Sequence, residues 1–362
     1  MTPVDVTQSS AATAVTGYDP EALALHLLST TEAAAMACLA WVGRGDKVAA
    51  DDAAVAAMRT ALAEVPGQGR VVIGEGEKDD APMLYQGEEL GTGSGAGWDL
   101  AVDPLEGTNY CARGAEGAIA VLSATPRGAM WGTSGWYMDK LVVGPGAAGA
   151  IDITAPVEDN LRKIAEALGK PVEQLVTIVL DKPRHQELIR RIREAGAAVV
   201  EIRDGDVMGS LLALVPGGGA DVSLGVGGAP EGVLTACATR LLGGDMQSRL
   251  APQSDEERDL LAAEDVDVDA VLTLQDLVAS DECTFVATGV TSSALLAAPE
   301  PTQWGWRTRS LVLTPRHRPL FVQSLLPSGA STAYDAPTSP APQAAPGSVL
   351  PAAKGADHTE QR

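Results

Sequence analysis

The chain has 362 residues, of which 45% are hydrophobic, 20% charged and 4% aromatic, so it can build a core mostly of Ala, Val and Leu in one large or two ordinary domains. Acids outnumber bases 48 to 26, a formal charge of −22. That field disfavours nucleic acids and anionic membranes as partners, no basic patch offsets it, and an anionic substrate would need a local source of positive charge.

Residues 1–17 are small and polar and read as a disordered extension, without the basic and apolar regions of a signal peptide. The stretch 21–43, EALALHLLSTTEAAAMACLAWVG, predicts a helix dense in Ala and Leu. A second helix is expected over 51–65, with Val55, Met58, Leu62 and Val65 on one stripe and Asp51 at the N-cap position. Strands RVVIGEGE and GWDLAVDP follow. In the latter, Trp98, Leu100 and Val102 share one face, and Asp99, Ala101 and Asp103 share the other. AIAVLSA and KLVVGPG add two more strands.

The second half is more regular. Strand QLVTIVL leads through DKPRH to helix QELIRRIREAG, strand AAVVEI through RDGD to helix VMGSLLALVP, and strand ADVSLGV through GGAPEG to helix VLTACATRLLGG. Three successive strand–helix units predict a parallel sheet with right-handed crossovers, whose strand-to-helix loops all emerge at one edge. Those loops carry Lys182, Arg184, Asp204, Asp206 and Glu231. TFVATGV, TRSLVLT and FVQSLL return to strand, and the Pro/Ala/Ser-rich tail, residues 328–362, reads as disordered. No segment reaches the length of a transmembrane helix. Cys38, Cys111, Cys237 and Cys283 form no CxxC pair, so reduced thiols in a cytoplasmic protein are expected.

Most of the acids belong on a solvated surface. Asp51, Glu75, Glu77, Asp103, Glu106 and Glu231 differ, because each lies at the end of an apolar element. In AVDPLEGT, Asp103 and Glu106 straddle a proline and are followed by Gly107 and Thr108. Hard divalent cations take such carboxylates with phosphate oxygens, and two ions about 3.5–4 Å apart can activate water and steady a leaving oxygen. They would also supply the positive charge that the acidic chain denies its substrate. On its own, Asp51 reads as no more than a helix cap.

The runs WVGRGDKVAADDAAVAAMR, VIGEGEKDDAPMLYQGEELGTG and DLAVDPLEGT, followed by YMDKLVVGPGA, KPRH, RDGDV, GVGGAPEGV and GDMQSRL in order, resemble the class II (GlpX-type) fructose-1,6-bisphosphatases over residues 22–327. The DPLEGT core also resembles the wider lithium-sensitive phosphatase superfamily that includes inositol monophosphatases. The resemblance implies a layered α/β sandwich of the sugar phosphatase type, with a metal-binding half at about 18–150 and a substrate-binding α/β half, parallel in its sheet, at about 151–327. By position it implies Mn²⁺ or Mg²⁺, as two ions, on Asp51, Glu75, Asp103, Glu106 and Glu231. Substrate contacts fall on Glu106, Gly107, Thr108, Tyr137, Lys182, Pro183, Arg184, Asp204, Gly205, Asp206 and Gly228. Lys182 and Arg184 suit a phosphate, whereas Asp204 and Asp206 suit sugar hydroxyls.

The implied reaction is hydrolysis of the 1-phosphate of fructose 1,6-bisphosphate to fructose 6-phosphate, a step of gluconeogenesis, in a cytoplasmic homo-oligomer (dimer or tetramer). Thr108 would orient the attacking water, Asp79 would take its proton, with Glu77 and Asp80 close by, and Lys47 matches a position with an active-site role. Sedoheptulose 1,7-bisphosphate, an inositol phosphate and silent sugar-phosphate binding are the rival readings. A complete acid set argues against silence, and the basic KPRH loop argues for a second phosphate. The chain departs from the family at Lys78, at Gly117 where Asn is common, at the bulkier Asn-Tyr-Cys of 109–111, and in a shorter stretch after QSRL. Cys111 reads as a buried inert thiol, and His185 as a helix-start residue making local contacts. DVDVDA (265–270) lacks the Gly and Glu of a calcium loop. GTGSGAG precedes a strand rather than a helix, which excludes a dinucleotide fingerprint.

Overall fold

The computed structural model describes residues 17–74, 84–264, 266–316 and 319–327. The expected disordered extension and tail therefore lie outside the described residues, apart from Gly17, as do Glu75, Glu77, Lys78, Asp79 and Asp80.

The chain opens with helices α1 (Pro20–Cys38) and α2 (Lys47–Leu62), then strands β1 (Gly67–Ile73), β2 (Glu89–Ser94) and β3 (Gly97–Glu106). The short helix α3 (Thr108–Arg113) leads to β4 (Ile119–Pro126), β5 (Tyr137–Val143) and helix α4 (Val157–Leu168). The three strand–helix units follow as β6 (Val176–Leu180) and α5 (Gln186–Glu194), β7 (Ala198–Ile202) and α6 (Asp206–Leu214), then β8 (Val222–Gly228) and α7 (Ala229–Leu242). Next come β9 (Asp245–Leu250), α8 (Asp255–Ala263), β10 (Leu272–Thr273) and α9 (Leu274–Leu277). Strands β11 (Thr284–Gly289), β12 (Glu300–Thr302), β13 (Gly305–Leu313) and β14 (Leu320–Pro327) close the described chain.

Two mixed sheets result. One runs β12-β13-β11-β4-β3-β1-β2 with β14 on β13, and the other runs β10-β9-β5-β8-β6-β7. Strands β6, β7 and β8 are mutually parallel, as the strand–helix repeat requires; β5 joins β8 antiparallel, and β9 pairs antiparallel with β5. The alternation read in GWDLAVDP holds. Trp98, Leu100 and Val102 enter one core with α1 and α2, whereas Ala101 enters a second with α6 and α7. Val55, Met58 and Leu62 are buried in the first core as their helical spacing demands, and Val65 is buried there too although α2 ends at Leu62, short of the expected residue 65. A third core joins β5, β6 and β8 to α4 and α5. The layers are thus helix, sheet, helix, sheet, helix, and α6 and α7 form the filling between the sheets.

One local expectation is corrected. Helix α2 begins at Lys47 and is capped by Asp46, whose Oδ1 accepts from the Ala49 N–H at 3.0 Å, so Asp51 lies inside the helix rather than at its N-cap. Two aspartates stood in reach, and the earlier one wins because Gly43 and Gly45, both at positive φ, end the preceding turn and free Asp46 for an extended conformation. The four cysteines are buried and form no disulfide. GTGSGAG lies on β2 and runs into β3, with no helix after it. No described helix is long and apolar enough to cross a membrane.

Candidate active site

The opening carboxylates owe their geometry to a bulge. Residues three apart in a regular strand point to opposite faces. Here Asp103 pairs with Val121 and Glu106 with Ile119, so β3 spends one extra residue against β4 between them. Pro104 has no N–H for the ladder and suits that irregularity. The extra residue brings Asp103 and Glu106 to the same face, that of Ile119 and Val121, toward the central helices. Asp103 Oδ1 accepts from the Leu105 N–H at 3.0 Å and holds the turn. Gly107, at φ +83°, then opens α3 at Thr108, whose hydroxyl donates to the Leu105 carbonyl at 3.0 Å.

A cleft of about 760 Å³ lies over this turn. Asp103, Glu106, Gly107 and Thr108 line it from the first sheet. From the second sheet come Lys182, Arg184, Asp204, Gly205, Asp206, Gly228 and Glu231. The ends of β6, β7 and β8 deliver these residues together because the three strands are parallel. Tyr137 pairs with Gly228 at the same edge and completes the wall. Pro183 begins the one-turn 3-10 helix Pro183–His185 and does not line the cleft. Asp51 and the exposed Lys47 lie on α2, likewise outside the lining.

The cations are held ready. Lys182 Nζ donates to the Arg203 carbonyl at 2.9 Å, and Arg184 reaches the Val226 carbonyl through Nε at 3.2 Å and Nη2 at 2.8 Å. The Arg184 guanidinium also lies 5.3 Å from the centre of the Tyr137 ring, within cation–π range. His185 is buried behind them. Its Nε2 accepts from the Val226 N–H at 2.8 Å, so Nδ1 carries the proton toward the Leu180 carbonyl at 2.7 Å. Burial, against the pull of that carbonyl, holds its pKa below the ordinary imidazole value.

The acids are crowded. Burial first, and then the Asp206 carboxylate, push the carboxyls of Glu106 and Glu231 above the usual range. Glu106 Oε1 accepts from the Val207 N–H at 3.0 Å, but the buried Oε2 has no hydrogen-bond partner. A cation is what such an oxygen lacks, since an unpaired buried acceptor is costly. The glycines of GVGGAPEG leave room for these groups. A Cβ on Gly228 would stand 1.9 Å from Glu231 Oε2, and one on Gly227 would stand 1.8 Å from Asp206 Oδ2. On α2, burial followed by the neighbouring Asp52 pushes the Asp51 carboxyl up to about 6. Among the described residues no three acids, histidines or cysteines stand close enough to enclose a metal ion by themselves, and Glu75 is outside those residues.

Several working residues escaped the sequence reading. Lys140, buried in β5, forms an ion pair with Asp206. Tyr110 accepts at its hydroxyl from the N–H groups of Arg203 and Asp204, and the Asn109 N–H donates to Asp204 Oδ2 at 2.9 Å. Glu257, fully buried on α8, accepts from the N–H groups of Trp136 at 2.6 Å and Tyr137 at 2.9 Å. Lys140 is the cation of the Asp-Lys pair in MDKLVV, which by itself does not single it out.

Residues 21–323 match the family model described as bacterial fructose-1,6-bisphosphatase, glpX-encoded. The chain is 48% identical over 288 residues to the fructose-1,6-bisphosphatase class 2 of Haemophilus influenzae, a match covering 76% of this chain and 86% of the relative. It is 46% identical over 287 residues to the fructose-1,6-bisphosphatase 1 class 2 of Escherichia coli strain K12, covering 76% and 85%.

Proposed function

Because the chain belongs to the glpX-encoded family of bacterial fructose-1,6-bisphosphatases, we propose that its cleft between the two sheets is where fructose 1,6-bisphosphate is hydrolysed. The protein is a metal-dependent phosphatase, a phosphoric monoester hydrolase of gluconeogenesis acting on this sugar bisphosphate. The observation that carries the site is the bulge at Pro104–Leu105, which puts Asp103 and Glu106 on one face with Glu106 Oε2 buried and unpartnered.

We read the ligands as Asp103, Glu106 and Glu231, joined by Asp51 and Glu75. Two ions, manganese or magnesium, held there would offset the charge on the phosphate oxygens and acidify the attacking water. Lys182 and Arg184 bind a phosphate of the substrate, the arginine through its planar fork and the lysine as a point charge. The Thr108 hydroxyl spends its proton on the Leu105 carbonyl, so its oxygen accepts from the attacking water and orients it toward phosphorus. Asp79, outside the described residues, takes the proton of the attacking water, and Lys47 on α2 supports the site from beyond the cleft lining. Asp204 and Asp206 each have one oxygen engaged within the protein, and the other accepts from sugar hydroxyls. Tyr137, Gly107, Gly205 and Gly228 shape the remaining surface, and Pro183, outside the lining, sets the turn between Lys182 and Arg184.

In this reading residues 18–150 supply most of the metal side and 151–327 the substrate side, and the protein works as a cytoplasmic homo-oligomer. A pair of cationic side chains on the substrate wall favours a bisphosphate over an inositol monophosphate, and sedoheptulose 1,7-bisphosphate is the second substrate to try. Purified protein loaded with Mn²⁺ or Mg²⁺ should release phosphate from fructose 1,6-bisphosphate and lose that activity in EDTA. If no sugar bisphosphate is turned over, the assignment of the cleft is wrong.

A further inference from the structure

We propose that Tyr110 is a positioning residue for the sugar part of the substrate: its phenol clasps the loop Arg203–Asp206 onto the turn that carries Glu106 and Thr108. The proposal deepens the reading above and rests on it.

Tyr110 sits in the first turn of α3, directly after the carboxylate turn. Its hydroxyl oxygen accepts from two successive backbone N–H groups, Arg203 at 3.0 Å and Asp204 at 3.2 Å. The same helix adds the bond from the Asn109 N–H to Asp204 Oδ2 at 2.9 Å. Asp204 is therefore tied to α3 through both its backbone and its carboxylate. The ring itself occupies a slot made by glycines. A Cβ at Gly117 would meet its Cδ2 and Cε2 at 3.1 Å, and one at Gly205 would meet its Cε2 at 3.2 Å. Both glycines have positive φ, +118° and +82°, so a side chain there would be strained as well as crowded.

Tyr110 and Gly117 thus form one device: the glycine makes space for the ring. The device crosses between layers. Helix α3 follows β3 of the first sheet, and the clasped loop joins β7 of the second sheet to α6. Asp204, Gly205 and Asp206 of that loop line the cleft opposite the carboxylate turn. What the clasp sets is the position of the sugar-facing acceptors relative to the reacting phosphate. Through the Arg203 carbonyl the clasped loop also holds Lys182 Nζ at 2.9 Å, whereas the phenol makes no bond to Thr108, so its loss should weaken substrate binding and spare the chemical step.

Tyr110→Phe keeps the ring in its slot and removes only the acceptor. The Arg203 bond is exposed and the Asp204 bond half-buried, so water can replace the acceptor and the fold should persist. Expected is a KM for fructose 1,6-bisphosphate raised about threefold to tenfold, the usual weight of a lost neutral hydrogen bond, with kcat within about twofold of the wild type. Amide hydrogen exchange at Arg203 and Asp204 should accelerate in the same variant. Unchanged KM, unchanged exchange, or a fall in kcat at constant KM would each overturn the proposal. Failure of the wild-type protein itself to cleave the substrate is a separate result, which removes the active-site reading and this proposal with it.

Discussion

Lys140 Nζ and the Asp206 carboxylate form an ion pair beside Gly227, at the inner edge of the cleft, with the lysine almost wholly withdrawn from water. This cation lowers the Glu231 carboxyl against the upward push of burial. A lysine in the middle of a strand thus balances an acid cluster contributed by two other elements.

Lys140→Met should cost the protein about 3–5 kcal/mol, because it leaves a carboxylate buried without its partner. Urea denaturation of Lys140→Met, Asp206→Asn and the double variant gives the cycle. The double variant should be more stable than the sum of the singles implies. Strict additivity would show that the pair does not act as a unit.

Arg184→Ala should raise KM for the bisphosphate by about 10- to 100-fold, the weight of one or two charge-assisted contacts to phosphate. Lys182→Ala should give a smaller rise, and Arg184→Lys should recover only part of the loss because a point charge does not reproduce a planar fork. Initial-rate kinetics check this. An unaltered KM in both alanine variants would remove these residues from the substrate.

His185 should make stability fall on acidification. Its folded pKa is held down by burial and by the charges of Arg184 and Lys140, with only Asp206 and the Leu180 carbonyl opposing, and a proton on Nε2 would face the Val226 N–H. The unfolded chain therefore takes up the proton first, and from about pH 6.5 downward the folded state loses up to about 1.4 kcal/mol per pH unit until its own pKa is reached. Above about pH 6.5 this group contributes no slope. Melting curves of wild type and His185→Gln between pH 5 and 8 should converge toward the acid end. Parallel curves would rule the histidine out as the source.

Glu257→Ala should destabilise by about 2–4 kcal/mol, since its buried carboxylate also accepts from the Gln253 N–H at 2.8 Å, beside those of Trp136 and Tyr137. Tyr137 lies under Arg184, so KM should rise in the same variant even below the melting temperature. Calorimetry and kinetics on one preparation test both effects.

The order of side chains in AVDPLEGT was legible because each element of it has a job that residue type announces: acids at a strand end, a proline without an N–H, a glycine at positive φ. The bulge that turns Glu106 to the face of Asp103 was not, since it exists only against β4. The loops of Lys182, Asp204 and Glu231 were legible from topology, through the period of three strand–helix units. Asp51 misled because Asp46 is an equally good cap by type, and only the turn before it decides between them. Lys140, Tyr110 and Glu257 were hidden for a common reason: the partners that tie each to the site are backbone N–H groups or a carboxylate more than 60 positions away, and no local pattern records such a meeting.

The path of the chain through the first sheet bears on how the enzyme is made. Strand β4, which braces the carboxylate turn, has its outer neighbour in β11, so Ile119–Pro126 waits for Thr284–Gly289 before both edges are satisfied. During synthesis one edge of the apolar strand β4, a row of unpaired N–H and C=O groups, stays open until the ribosome has released most of the described chain. Such late closure slows folding and leaves the nascent polypeptide prone to association.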